Sequence, residues 1–224
     1  MTLAIRAVRT AAVGLIVFGI AVFVPAGTID YWQGWAFIFT FTVFTNIIGI
    51  YLALKDPVLL ERRIKAGPGA ERRPVQKVLI TLVMIGFVAL IVVSALDWRF
   101  GCSHVPAWVS VLGNILVAAG LMINLWVLVV NRYGSSAIEK MEGQRVISTG
   151  PYALVRHPMY AGVPVMVVGL PLALGSYWGL LFLLLNVVIR VLRILDEETM
   201  LRRELDGYTD YSRKVRHRLV PGLW

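Results

Sequence analysis

Residues 158–193 read PMYAGVPVMVVGLPLALGSYWGLLFLLLNVVIRVLR. Two apolar segments, 158–174 and 178–193, flank the turn-forming Leu174-Gly175-Ser176-Tyr177, and no charge falls before Arg190. Each segment is short for a span, since crossing the hydrocarbon as a helix takes about 20 apolar residues. A single central break makes the pair a tight helical hairpin. Pro158, Pro164 and Pro171, with Gly162 and Gly169, predict an irregular first arm. Irregular backbone at membrane depth is tolerated only when buried in protein or lining a cavity, so a pocket is expected beside this arm.

Working outward, four further apolar stretches precede the hairpin, at 10–26, 33–54, 78–96 and 107–130. The fold class is therefore an all-α integral membrane protein of five to six transmembrane segments, the last two forming the hairpin. The chain divides at 130/131 into four N-terminal spans and a C-terminal region. Composition agrees: 58% of the 224 residues are hydrophobic and 16% charged, with a mean hydropathy of +0.75. Soluble domains carry about 25% charged residues, and a surplus this large cannot hide in one small core. Arg6 and Arg9 before the first run, with Val24-Pro25-Ala26 after it, imitate a cleavable signal. Another apolar run follows instead of a polar domain, so a retained span is expected.

The charge pattern sets the orientation. Net charge is +9, yet the basic residues fall outside the apolar runs, which points to topology and anionic lipid headgroups rather than nucleic acid. With six segments, every Lys and Arg except Arg99 falls on one side. The positive-inside rule makes that side the cytoplasm, with both termini inside, and the expected location is a prokaryotic inner membrane. Trp32, Trp35, Trp98, Trp108 and Trp178 cluster at the outer ends and read as an interfacial belt. Asn46, Asn114, Asn124 and Asn186 are expected to bond between helices. Cys102 is the single cysteine, which excludes an internal disulfide and a CxxC pair. His104, His157 and His217 are too scattered for a metal site.

The chemistry concentrates after Asn131. Gly150-Pro151-Tyr152 and Arg156-His157-Pro158-Met159-Tyr160 stand at the start of the hairpin. Pro158 suits a first helical position, where its missing N–H loses nothing. The free N–H groups of such an end suit a carboxylate, although plain capping with Arg156 snorkelling to headgroups would give the same string. After the hairpin, Arg190, Arg193 and Glu197 recur at spacings that share one helical face. Arg193 has the planar fork to grip an anion; the plainer alternative is snorkelling plus an ion pair worth about 0.2–0.5 kcal/mol. There is no Walker A loop, HExxH, GxSxG or strand-bound GxGxxG.

The string GPYxxxRHPxYxG at 150–162, the RxxxEE at 193–198 and Gly207-Tyr208-x-x-Tyr211 resemble the isoprenylcysteine carboxyl methyltransferase family, within a wider membrane group that includes phospholipid N-methyltransferases. The resemblance covers the chain from about residue 131; the four N-terminal spans match only in hydrophobic character. It implies S-adenosylmethionine as cofactor in a cytoplasmic C-terminal region, and a lipophilic acceptor reached through the membrane lipids. By position, Gln144, Arg145, Val146 and Ile147 form one cofactor wall, and Tyr152, His157, Pro158, Met159 and Tyr160 the other. Arg193 and Glu197 take the catalytic roles, and no metal is implied. Gln144 stands where eukaryotic members carry His.

A methyl on a sulfonium is already activated, so holding the acceptor in line is the main task, worth about 7–11 kcal/mol. A carboxylate acceptor needs no base, whereas an amine must lose a proton, for which Glu197 is available. Tyr152 and Tyr160 offer aromatic faces to a cation. The competing readings are a phospholipid amine N-methyltransferase, an NADPH-dependent reductase of the sterol-reductase type, and a non-enzymatic membrane protein. Cofactor binding separates them.

Overall fold

The computed structural model describes residues 2–71, 73–134, 143–222 and 224. Among these residues eight α-helices follow in order: α1 Leu3–Ala26, α2 Trp32–Lys55, α3 Pro57–Ile64, α4 Pro74–Phe100, α5 Ala107–Val130, α6 Gly162–Ala173, α7 Phe182–Glu204 and α8 Tyr208–Lys214. Short 3₁₀ turns stand at Gly150–Ala153, Pro158–Tyr160 and Trp178–Leu181. No strand occurs among the described residues. Five helices are long and apolar enough to cross a membrane, α1, α2, α4, α5 and α7, while Pro158–Ala173 forms a shorter apolar arm.

Helix limits overshoot the apolar runs because caps, not hydropathy, end a helix. Thr2 caps α1, its hydroxyl accepting from the Ile5 N–H at 3.4 Å, so Arg6 and Arg9 lie inside the helix. Pro74 opens α4 at a position that tolerates a missing N–H. Gly101, at φ 64°, closes it in the left-handed conformation that suits glycine.

The expected hairpin is formed by α6 and α7, which meet at Gly175 and Ser176. Its first arm is more regular than Pro164 and Pro171 suggest. Pro164 falls in the first turn of α6, where no N–H is missed, and only Pro171 interrupts the ladder. What fixes this arm is its contact with α5. A Cβ on Gly113 would stand 2.2 Å from the Ala173 backbone nitrogen, and one on Gly169 2.6 Å from the Gly113 carbonyl oxygen. Two turns away, Gly120 and Gly162 meet in the same manner at 2.5 and 2.6 Å. The antiparallel backbones thus touch with no side chain between them, the form helix packing takes where hydrocarbon supplies no hydrophobic drive.

At the end of the bundle where the hairpin turns, the buried Asp97 on α4 accepts from Ser176 Oγ and, at 2.7 Å, from Ser103 Oγ. Tyr31 donates to the Leu174 carbonyl and stacks on Trp98 with ring centroids 4.2 Å apart. Trp98 is therefore a packing residue, whereas Trp32, Trp35, Trp108 and Trp178 are exposed as a belt requires. Because α6 ends flush with α4 here, its missing length falls at the opposite end.

That opposite end gathers the charges. Arg6 pairs with Glu61 at 3.1 Å, Arg132 with Asp56 at 2.9 Å and Arg73 with Asp196 at 2.7 Å. The expected interhelical asparagine bonds are not what forms. Asn46 and Asn114 donate to the carbonyls of Thr42 and Ser110 in their own helices, and Asn186 accepts from Arg190 four residues on. A carbonyl one turn back is always within reach, and helices held by glycine contacts have no need of an amide bridge. Asn124 packs beside Gly162 and faces the cavity below.

Candidate functional site

Below the short arm lies a cavity of about 370 Å³, within the ordinary range for a small-molecule site. Its walls come from the end of α3, α4, α5, the segment 143–160, the start of α6, the lower half of α7 and α8. Gln144, Arg145, Val146, Ile147, Tyr152, His157, Met159, Tyr160, Arg193 and Glu197 all line it. Pro158 does not. It is buried at the first position of a 3₁₀ turn, and its locked φ directs Met159 and Tyr160 inward.

Each wall is fixed by its own bonds. Asn131, just past the end of α5, donates to the Tyr152 hydroxyl at 2.6 Å and accepts from the Tyr133 N–H at 2.9 Å. The Tyr211 hydroxyl donates to the Tyr152 carbonyl at 2.7 Å, tying α8 to the Gly150–Ala153 turn. Burial pushes the Tyr211 phenol up to about 12, against the pull of Arg156. Burial first, and then Glu198 and Glu197, raise the Tyr208 phenol as well. The chain's end closes the site from outside. The N–H groups of Arg156 and His157 donate to the carbonyls of His217 and Arg218 at 2.9 Å each, and the Arg218 guanidinium stands over the Trp224 ring.

The charges are layered. Glu198, 3% exposed, sits among Arg156 at 2.8 Å, His157 at 3.3 Å, and Arg202 and Arg218 at 3.2 Å. Arg156 is thus turned inward, contrary to the snorkelling alternative. Its Nε is near the carboxylate without aiming its N–H at it, so that contact is ionic. Glu197, the preceding residue, points the other way, into the cavity. It accepts from the Tyr160 hydroxyl at 3.0 Å and lies 3.8 Å from His157 Nδ1. Arg193 also turns inward and pairs with Glu71 at 3.0 Å, both side chains being buried.

Glu71 escapes sequence reasoning because it lies in a Gly/Pro loop 122 residues from its partner. Asn131 is missed for a similar reason: it looks like an ordinary helix-ending residue. Glu198 was visible as half of a Glu-Glu pair, but only packing reveals which carboxylate faces the cavity.

Residues 108–206 match the family model for phospholipid methyltransferase. The match runs from the start of α5 to just past α7, the part of the chain that supplies most of the cavity wall. It points to a membrane methyltransferase. No curated protein matches the chain.

Proposed function

We propose that this protein transfers a methyl group from S-adenosylmethionine to a lipophilic acceptor, a carboxylate of the isoprenylcysteine kind. The observation that carries the reading is convergence: residues from 144 to 197, scattered in sequence, share one cavity at the charged end of an otherwise apolar bundle. The cavity suits a polar zwitterion with an aromatic base. It mixes tyrosine faces, the Glu197 carboxylate and guanidinium groups, and leaves Arg193 Nη1 and the Tyr208 hydroxyl buried without protein partners. Gln144 to Ile147 on one side and Tyr152 to Tyr160 on the other would hold the cofactor, which supplies an electrophilic methyl.

The chain's own residues then position and exclude water. Arg193, held by Glu71, orients the acceptor group, and Glu197 with Tyr160 faces it from the same side. A carboxylate attacks as it stands. An amine must give up a proton, and Glu197 stands ready to take it. The family match favours this amine reading, with a phospholipid as acceptor, as the second possibility. In both, the cofactor arrives from the charged side, which we take as the cytoplasm of a bacterial-type inner membrane holding both termini, and the acceptor arrives through lipid.

The test is methyl transfer from radiolabelled cofactor to N-acetyl-S-farnesylcysteine and to phosphatidylethanolamine in detergent. Base-labile product, released as methanol, marks an ester and supports carboxyl transfer. Base-stable label in lipid moves the reading to the amine. Neither product, with folded protein and both acceptors saturating, contradicts it.

A further inference from the structure

Two arginines of α7 face the cavity, and their circumstances differ. Arg193 is neutralised by Glu71 at 3.0 Å. Arg190 lies one turn nearer the bilayer centre and is 9% exposed. Its Nε donates to Asn186 at 2.9 Å, which occupies one corner of the guanidinium with a neutral partner. No carboxylate pairs with Arg190 among the described residues; beside it stand the Tyr160 phenol and Arg193, whose charge is of like sign. From Trp178 at the outer end, the helix rise puts Arg190 about 20 Å into a span whose hydrocarbon is about 30 Å thick. An uncompensated guanidinium at such a depth is unfavourable, and in membrane proteins such groups mark functional sites. Snorkelling does not account for it, because the side chain points into the cavity rather than along the helix to the headgroups.

The surroundings define the complement. The cavity that Arg190 enters is also lined by Ile80 and Val83 of α4, Val163 of α6 and Asn124 of α5, with Tyr160 and Arg193 beside the guanidinium. This is the apolar, lipid-depth end, whereas Gln144 to Ile147 lie toward the charged end. The two Nη groups remaining on Arg190 form one edge of the fork, the edge that takes a carboxylate in two parallel hydrogen bonds. An ammonium would meet like charge there. A headgroup with no anionic oxygens would leave the guanidinium uncompensated.

We propose that Arg190 anchors the carboxylate of the lipophilic acceptor, with the acceptor's apolar tail against Ile80, Val83 and Val163. This rests on the methyltransferase reading and narrows its substrate class to acidic lipids. Arg193, already paired, then acts on the acceptor beside Glu197 rather than as the principal anion holder. The other source of the same chemistry is the cofactor's own carboxylate.

Binding separates the two sources. Full-length protein in detergent is titrated with N-acetyl-S-farnesylcysteine and with its carboxamide, which has the same tail without charge, and separately with S-adenosylhomocysteine. Wild type is expected to prefer the acid by at least about tenfold, as sites built around a buried polar group do. Arg190→Gln should remove that preference and Arg190→Lys keep part of it, with S-adenosylhomocysteine binding unchanged in both. Arg203→Gln, at an exposed position, controls for loss of surface charge. An Arg190→Gln protein that still prefers the acid, or wild type with no preference, overturns the anchor. Weakened S-adenosylhomocysteine binding with the acid preference intact assigns Arg190 to the cofactor and also overturns it. The acid–amide comparison needs no cofactor. Failure of S-adenosylhomocysteine to bind any of the proteins would therefore remove the methyltransferase reading while the anion site is decided separately.

Discussion

Arg193 and Glu71 carry opposite charges into a site that water barely reaches, with side chains 7% and 1% exposed. Breaking such a pair from one side leaves the other charge stranded, at a cost of about 3–5 kcal/mol, whereas replacing both by apolar groups is often neutral. Glu71→Ala should therefore lower the thermal midpoint in detergent sharply, and Glu71→Ala with Arg193→Met should recover most of it. Strictly additive losses would contradict the pairing. Tyr211 supplies a pH test. Its phenol is raised from an ordinary 10 to about 12, so the fold favours the neutral form. The stability this contributes is complete below pH 10 and disappears as pH rises toward 12. Tyr211→Phe should lose about 1 kcal/mol for the hydrogen bond to the Tyr152 carbonyl and flatten the alkaline limb of the stability curve. An unchanged slope between pH 10 and 12 would show that another group is responsible.

The glycine contact between α5 and α6 decides the shape of the cavity, because it draws the short arm against α5 and leaves the space beneath. Gly113→Leu or Gly120→Val has no room and should abolish monodisperse protein in gel filtration. Gly14→Ala and Gly49→Ala, where a Cβ meets nothing within 4 Å, should be tolerated or slightly stabilising, since glycine is a poor helix former by about 1 kcal/mol. Equal tolerance at both sets would refute the close packing. Elements of this kind were partly legible in the sequence. The runs of apolar residues locate α1, α2, α4, α5 and the hairpin arms, and Gly175 locates the turn, because hydropathy and a left-handed glycine are local signals. Pro164 misleads, since a proline in the first turn misses no N–H, whereas Pro171 interrupts α6 as its position predicts. The site was legible where residues are close in sequence, as with Tyr152 to Tyr160. Glu71, the role of Glu198 and the docking of His217 and Arg218 depend on contacts between distant segments, which no local pattern records.

Over the whole molecule, the charges at one end and the apolar surface elsewhere imply a protein that mediates between water and lipid. The proposed orientation places Cys102, exposed just after α4, on the outer face. A membrane-impermeant maleimide should label it in spheroplasts and fail in inside-out vesicles; the reverse pattern would invert the topology. The central claim is that the cavity below the α6 arm is a cofactor site serving methyl transfer. Calorimetry on purified protein, with S-adenosylmethionine, S-adenosylhomocysteine and NADPH titrated into wild type and His157→Ala, tests it most directly. Saturable binding of both adenosyl ligands, weakened by the substitution, with no heat from NADPH, is the predicted result. Folded protein that binds neither adenosyl ligand, or binds NADPH in their place, would contradict it.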